Sequence, residues 1–457
     1  MQTIDLIIIG AGPGGYETAV RAAKAGLQVV IVERQHLGGT CLNAGCIPTK
    51  CLCHSAEELD TVRSLGADKA IDMPQYFQTA VQRKGEVVEK LKSGVAALMK
   101  TPGITLVEGE ARFTDSHTVA VDTTSDGQCA TRAFTAPNII IATGSTTKFL
   151  PIPGAHAEGV VTSTELLNLP ALPHRLCIIG GGVIGLEFAA IFRSFGSEVT
   201  VIEYCKEILP NFDRDIAKRL RTSLKKRGID FHTGAAAKEI RELDGSGLTV
   251  DFEEKGKTQS AEADIVLMAV GRAANLDSLN LAEVGIEATP RGITVDEHMQ
   301  TSVPGIYAIG DVNGLCQLAH AASAQGKVAL AHILKPEAEA CDIRIIPSAV
   351  FTVPEVAMVG QTEEQLTEAG IAYQSHKAFY RANGKALSMD AEDGLVKLLT
   401  DSDGHILGCH ILGAHASDLI HEATLAMRLG ATIHDIADTV HAHPSLSEIL
   451  LAAAEAE

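Results

Sequence analysis

The stretch IDLIIIGAGPGGYETAVRAAKAGLQVVIVE, Ile4–Glu33, decides the fold. Its first part, IDLIIIG, is an unbroken apolar run of the length of a strand buried on both faces. GAGPGG then places Gly10, Gly12 and Gly15 in G-x-G-x-x-G order. YETAVRAAKAG has helical composition and closes on Gly26, a C-cap residue. LQVVIVE is a second strand, ending at Glu33. The pattern is strand, glycine turn, helix, strand, acid.

The same design returns 170 residues later. RLCIIG is a strand, GGGVIG supplies Gly180, Gly182 and Gly185, LEFAAIFRSFG is the helix, and SEVTVIE ends at Glu203. The first glycine and the closing glutamate are 23 positions apart in both copies. One G-x-G-x-x-G means little, because glycine is common. Two copies in the same context predict an α/β chain with two Rossmann-like dinucleotide-binding domains. Such glycines permit a tight turn and let a pyrophosphate approach the backbone at a helix N-terminus, while the acid takes a ribose diol. The plainer reading, two turns that only let helix pack on sheet, does not account for the repeated acid.

Two more strands end alike, NIIIATG at Gly144 and DIVLMAVGR at Gly271, as if each sheet came back to its nucleotide. GIYAIGD ends a further strand at Asp311, either a ligand for sugar hydroxyls or an N-cap for LAHAASAQGKVALAHIL. FLPIPGAHAEG, with its prolines and glycines, is a link. From about Pro347, strands such as PSAVFT, GLVKLL and HILGCHILG appear without a glycine fingerprint. The expected divisions are residues 1–148, 149–272, 273–346 (a return to the first domain) and 347–457.

At 457 residues the chain is too long for one core. Its 46% apolar content is that of a globular protein. The most apolar run, LCIIGGGVIGLEFAAIF, is glycine-rich and cut by Glu187, so no membrane span is expected. Met1 runs straight into a strand without a basic leader, which makes the cytoplasm the expected location. A net charge of −19 repels nucleic acid and anionic membranes, and neither is an expected partner.

Most of the ten cysteines stand singly in apolar settings, as Cys177 and Cys409 do. GGTCLNAGCIPTK, Gly38–Lys50, is different: it holds Cys41 and Cys46, with Cys51, Cys53 and His54 close behind. A structural disulfide across so short a loop adds only about 2 kcal/mol, and cytosolic reductants oppose it. A zinc site would want C-x-x-C knuckles, which are missing. A redox-active dithiol needs sulfurs within bonding reach and a thiolate-stabilising neighbour, for which a helix N-terminus and Lys50 serve. Spacing alone does not choose the pair, since Cys46 and Cys51 are also five apart.

GGTCLNAGCIPTK resembles the signature of the pyridine nucleotide–disulfide oxidoreductases, and the likeness runs in order along the whole chain. The resemblance implies FAD on Gly10, Gly12, Gly15 and Glu33, with Asp311 near the ribityl chain, and a redox disulfide between Cys41 and Cys46. It implies Lys50 beside the flavin, paired with Glu187, and NAD on Gly180, Gly182, Gly185 and Glu203. Ala111, Gly144, Gly271 and Ala319 complete the implied cofactor positions, and no metal is expected. A C-terminal α+β dimerisation domain would follow. Thr49 stands where many relatives have serine, another hydroxyl.

VHAHPSLSEIL places His443 before Pro444, with Glu448 beyond. Proline suits a first helical turn, which would set His443 at a helix mouth with Glu448 reaching back to orient its ring as a base. Alone, a capping histidine and a solvated glutamate would explain the pattern. His441 is read as structural or supporting. The pattern H-x-H-P-x-L-x-E is similar to that of the dihydrolipoamide dehydrogenases. This implies a homodimer in which the His443–Glu448 pair serves the partner's dithiol. It also implies oxidation of dihydrolipoamide carried on a partner's lipoyl domain, within a 2-oxo acid dehydrogenase complex or glycine cleavage system. Glu203 repels a 2′-phosphate, and EYCKEILPNFD offers only Lys206 as a cation, so NAD is favoured over NADP. The end, LLAAAEAE, lacks the cysteine pair of mercuric reductases. The rival readings are another flavin disulfide reductase of glutathione- or mercuric-reductase type, and a non-catalytic FAD-binding redox sensor.

Overall fold

A computed structural model describes residues 3–125, 128–243, 247–337 and 342–456. The chain forms two units. One comprises Met1–Cys51, Gln82–Lys148 and Gly271–Ile343, the other Leu52–Val81, Phe149–Val270 and Arg344–Glu457.

The first unit is built on a parallel five-stranded sheet. In spatial order its strands are Ile306–Ala308, Asn138–Ile141, Leu6–Ile9 (β1), Val29–Glu33 (β2) and Ile104–Glu108. β1 is buried throughout because both its faces are covered. Ile7 and Ile9 pack into one apolar cluster with Val30 and Val32; Leu6 and Ile8 pack into another with Val29 and Ile31. That is why β1 reads as a continuous apolar run rather than an alternation. The helix after it, α1, spans Pro13–Lys24. It starts three residues before the expected Tyr16 because Pro13 takes the first turn, where a missing N–H costs nothing. Ala25 caps it and Gly26, at φ +97°, turns the chain away.

The strand order reverses between β1 and Asn138–Ile141, and Gly10 lies at that reversal. A Cβ on Gly10 would stand 2.4 Å from the carbonyl oxygen of Ala142, and φ is +103°. Only glycine fits there.

The second unit repeats this plan. Its sheet runs Ile229–Thr233, Glu198–Glu203, Arg175–Ile179, Ile265–Met268 and Val160–Val161, again parallel. Gly180 occupies the matching reversal, where a Cβ would meet the Ala269 carbonyl at 2.3 Å. The repeat reaches further than the glycines foretold. Each sheet is accompanied by three antiparallel strands, Glu110–Asp115, Thr118–Ser125 and Gln128–Thr135 in the first unit and Ala235–Glu242, Leu248–Glu254 and Lys257–Ala263 in the second.

The C-terminal part of the second unit is an antiparallel five-stranded sheet. Its order is Ser348–Val350, Glu355–Gly360, Ile406–Gly413, Leu395–Thr400, Gln374–Phe379, and helices Ala416–Leu429 and Glu448–Ala454 pack against it. Among the described residues no helix is long and apolar enough to cross a membrane.

Candidate active site

Two helices carry the cysteines. α2 spans Gly39–Ala44, Gly45 breaks the chain, and α3 spans Cys46–Ser64. α2 begins against the first nucleotide loop. Gly38 N donates to Ala11 O at 2.9 Å, and a Cβ on Gly39 would stand 2.7 Å from the Cα of Gly12. Gly45 allows a second close approach: its Cβ would lie 3.3 Å from the Cα of Cys41. The chain therefore folds back so that the Cys41 and Cys46 thiols are hydrogen-bonded partners. Cys41 is pushed far up from its ordinary thiol value, first by that bond and then by burial, with Lys50 acting against both. Cys46 is the first residue of a 19-residue helix, where backbone N–H groups and the dipole favour a thiolate. Lys50 follows one turn later on the same face.

Cys51 and Cys53 do not join this pair. Both are buried, and Cys53 Sγ lies 3.5 Å from the Phe351 carbonyl. Among the described residues no cluster of histidine, cysteine and carboxylates could hold a metal.

Around the first fingerprint the donors fit a dinucleotide. Gly12 caps α1 with extended backbone and no side-chain hydrogen bond, the arrangement in which a helix turns its first N–H groups to a ligand. A Cβ on Gly12 would touch nothing nearer than 3.9 Å, so packing does not demand this glycine, whereas an approaching pyrophosphate would. Glu33 accepts from Ala11 N at 2.8 Å and Gln35 N at 2.7 Å, which fixes its carboxylate and leaves lone pairs for hydroxyls. Asp311 is not an N-cap. It lies in the short turn Gly310–Asn313, the following helix Ala319–Leu334 is capped at Leu318, and Asp311 accepts from Ser145 Oγ at 2.5 Å. Ala319 heads that helix, Gly144 is open at φ +71°, and the buried side chain of Ala111 leaves only its backbone for a ligand.

The second fingerprint is built alike. Gly182 has open space where a Cβ would be, whereas a Cβ on Gly185 would stand 2.1 Å from the carbonyl oxygen of Gly180. Glu203 accepts from Gly181 N at 2.5 Å and Cys205 N at 2.6 Å. Arg221, on the helix that follows, is held bidentately by Glu207 at 2.6 and 2.9 Å, so it is not poised for a 2′-phosphate. Glu187 is buried on helix Val183–Phe195 and accepts from Phe351 N. Gly271, at φ +106°, begins the return to the first unit, and its carbonyl accepts from Lys148 N.

His443 Nδ1 lies 2.8 Å from Glu448 Oε1, and Ser445 N donates to the other carboxylate oxygen at 2.7 Å. These bonds, with that of Ser445 first, hold Glu448 below the usual carboxylate range. The carboxylate makes Nδ1 the donor and leaves Nε2 as the basic nitrogen. The His443 side chain is 81% exposed. The expected helix position of Pro444 is wrong. The helix starts at Glu448, and Pro444 precedes it in a cis-linked turn tied by Asn383 Nδ2 donating to Ser445 O. Glu448, as first helical residue, reaches back over that turn.

Residues 4–326 match the family model of the pyridine nucleotide–disulphide oxidoreductases, and residues 346–454 match that family's dimerisation domain. The chain belongs to this family. Among curated proteins, the dihydrolipoyl dehydrogenase of Bacillus subtilis is 44% identical over 99% of this chain and 96% of its own length. Those of Geobacillus stearothermophilus and Haloferax volcanii are 42% and 40% identical, each over 99% of this chain and 95% of their own length. Among solved structures, a Cu(II) complex of the HOCl-induced flavoprotein disulfide reductase RclA from Escherichia coli superimposes with a TM-score of 0.88 at 33% identity, covering 99% of both chains. The chain is an oxidoreductase of the family, its cofactors are FAD and NAD, and it has the family's homodimer-forming domain.

Sequence reasoning missed a third group beside Asp311. Arg272 donates through Nε to Ser145 Oγ and through Nη2 to Ser145 O, both at 2.7 Å. Burial lowers its pKa, while Asp311 and Cys46 oppose that. The hint was present in GR after the strand, but nothing local distinguished it from a surface arginine.

Proposed function

We propose that the chain is a dihydrolipoyl dehydrogenase. It oxidises dihydrolipoamide, carried on a partner's lipoyl domain, with NAD+ as the final acceptor. It does so as a cytoplasmic homodimer serving a 2-oxo acid dehydrogenase complex or a glycine cleavage system. The observation that carries this reading is the seating of α2 on the first nucleotide loop, through Gly39 on Gly12, which delivers the thiol pair to the FAD-binding end of the sheet.

Cys41 and Cys46 work as a disulfide that accepts two electrons from the substrate dithiol. His443 Nε2 of one subunit, oriented by Glu448, takes a proton from one substrate thiol at the site of the other subunit. The thiolate bonds to Cys41 Sγ, the bond between the cysteines breaks, and Cys46 leaves as a thiolate at the start of α3. The second substrate thiol then attacks the substrate sulfur bonded to Cys41. The lipoamide ring closes and Cys41 is released, reprotonated as the thiol. FAD, when bound, relays the electron pair from the dithiol to NAD+. Lys50, one turn beyond Cys46, favours the anionic pair. Glu203 selects NAD+.

Steady-state rates with dihydrolipoamide and NAD+, against NADP+ and against glutathione, test the assignment. Turnover should require NAD+ and dihydrolipoamide. Cys46→Ser should retain FAD and lose at least about a thousandfold in that turnover, because no disulfide can form. Near-normal turnover by Cys46→Ser, or a preference for glutathione and NADP+, would refute the proposal.

A further inference from the structure

We propose that Glu422 and His441 form a second histidine–glutamate pair that positions His443; this rests on the role given to His443 above. His441 Nε2 lies 2.8 Å from Glu422 Oε1, and Nδ1 lies 2.8 Å from the carbonyl oxygen of Thr439. The carbonyl only accepts, so Nδ1 donates. The contact to Glu422 then needs one more proton, carried by ring or carboxyl, and both ring nitrogens are bonded.

The two histidines point opposite ways. The His441 side chain is 4% exposed, that of His443 81%. Between Thr439 and Ser445 the chain has no regular secondary structure, and no backbone–backbone bond is described for residues 440–444. Val440 is 96% exposed, and Ala442, His443 and Pro444 are exposed as well. The inward anchor of this segment is therefore the His441 ring. Its partner, Glu422, projects from helix Ala416–Leu429, which packs on the C-terminal sheet. Beyond the segment, the Asn383 bond to Ser445 and the buried Leu446 hold the other end. His443 thus hangs between two fixed points, one of which is the Glu422–His441 pair. That pair also lies close enough to the working one for His441 to contribute to the low pKa of Glu448, after Ser445 and His443.

A reacting base that shifts by about 1 Å loses on the order of a hundredfold in rate. Glu422→Ala should therefore lower kcat for dihydrolipoamide with NAD+ by about ten- to a hundredfold. NADH oxidation by a quinone, which draws electrons from the flavin without His443, should stay within about twofold, as should FAD content. Glu422→Gln should recover to within about threefold, because its amide N–H can donate to Nε2 while Nδ1 keeps its bond. His441→Ala should resemble Glu422→Ala, and the double variant should be no worse than either single one. An unchanged kcat in Glu422→Ala, no rescue by glutamine, or an equal fall in both activities would overturn the inference. Crystal structures of wild type and Glu422→Ala give a readout independent of substrate. Residues 439–444 should move and the His443–Glu448 contact open, while the rest of the fold stays. A wild type inactive on dihydrolipoamide would sink the proposed function alone, and an unmoved segment would sink the positioning role alone.

Discussion

Lys397→Met should destabilise the second unit by about 3–5 kcal/mol, the cost of removing one member of a buried ion pair. Lys397 lies on strand Leu395–Thr400 with a side chain that is 0% exposed. Its ammonium donates to Asp213 Oδ1 at 2.6 Å and Glu363 Oε2 at 2.8 Å. Burial opposes its charge, but those two bonds outweigh burial and raise its pKa. Burial likewise opposes the charge on Asp213, yet His410 and Lys397 hold its carboxyl below the ordinary 3.8. Methionine would fill the space and leave two carboxylates without their cation. At about 2–4 °C per kcal/mol, the loss corresponds to a melting point lower by roughly 6–20 °C. The pH dependence follows from the directions of the shifts. Asp213 is depressed, so its stabilisation is complete above 3.8 and fades as pH falls through its lower folded value; Lys397 is raised, so its stabilisation is complete below 10.5 and fades as pH rises past its folded value. The gap between wild type and variant should narrow as pH falls, beginning above the ordinary 3.8, because without the ammonium burial raises the pKa of the stranded carboxyls and they protonate early. Adding Asp213→Asn should restore part of the loss, since asparagine keeps the cap on Asp215 N and Ile216 N without the charge. Calorimetry of FAD-loaded protein across pH measures all three. A single variant within about 1 kcal/mol of wild type, or a gap that widens in acid, would refute the reasoning.

Further tests separate the two nucleotide sites. Gly10→Ala drives a Cβ to 2.4 Å from Ala142 O at φ +103° and should yield protein without FAD, read from its visible absorbance. Gly180→Ala makes the matching clash at 2.3 Å with Ala269 O and should keep FAD while losing NAD+-dependent turnover. Glu203→Ala strands the amides of Gly181 and Cys205 and removes the proposed ribose acceptor. The KM for NAD+ should rise about ten- to a hundredfold, the worth of a charged hydrogen bond, with little change for NADP+.

The parts legible in the sequence were those whose physics is local. β1 reads as buried because every residue in it is apolar, and Gly10 and Gly180 announce turns because no other residue tolerates those contacts. The antiparallel strands that accompany each parallel sheet stayed hidden for the opposite reason. Strand Lys257–Ala263, KTQSAEA, is exposed along most of its length. It is a strand because Leu248–Glu254 offers it a hydrogen-bonding edge, not because its own residues demand it. Pro444 misled for a related reason. Its chemistry suits a first helical turn, but Asn383, 62 positions before Ser445, ties the chain into a turn and moves the helix start to Glu448. Lys397 sits in GLVKLL, where a lone lysine reads as an outward residue on an apolar strand. Its counter-charge comes from Asp213, 184 positions away, the N-cap of a helix in the nucleotide-binding part of the same unit. The same holds at the candidate site. Cys41 and Cys46 are neighbours in sequence and could be weighed as a pair, whereas Glu422 reaches His441 only after helix Ala416–Leu429 has packed. A residue whose role is to hold another in place has no motif of its own, because the requirement falls on a distance between elements and not on a spacing along the chain. The positioning role of Glu422 is therefore the kind of function that must be sought in coordinates even when the reacting groups can be named from the sequence.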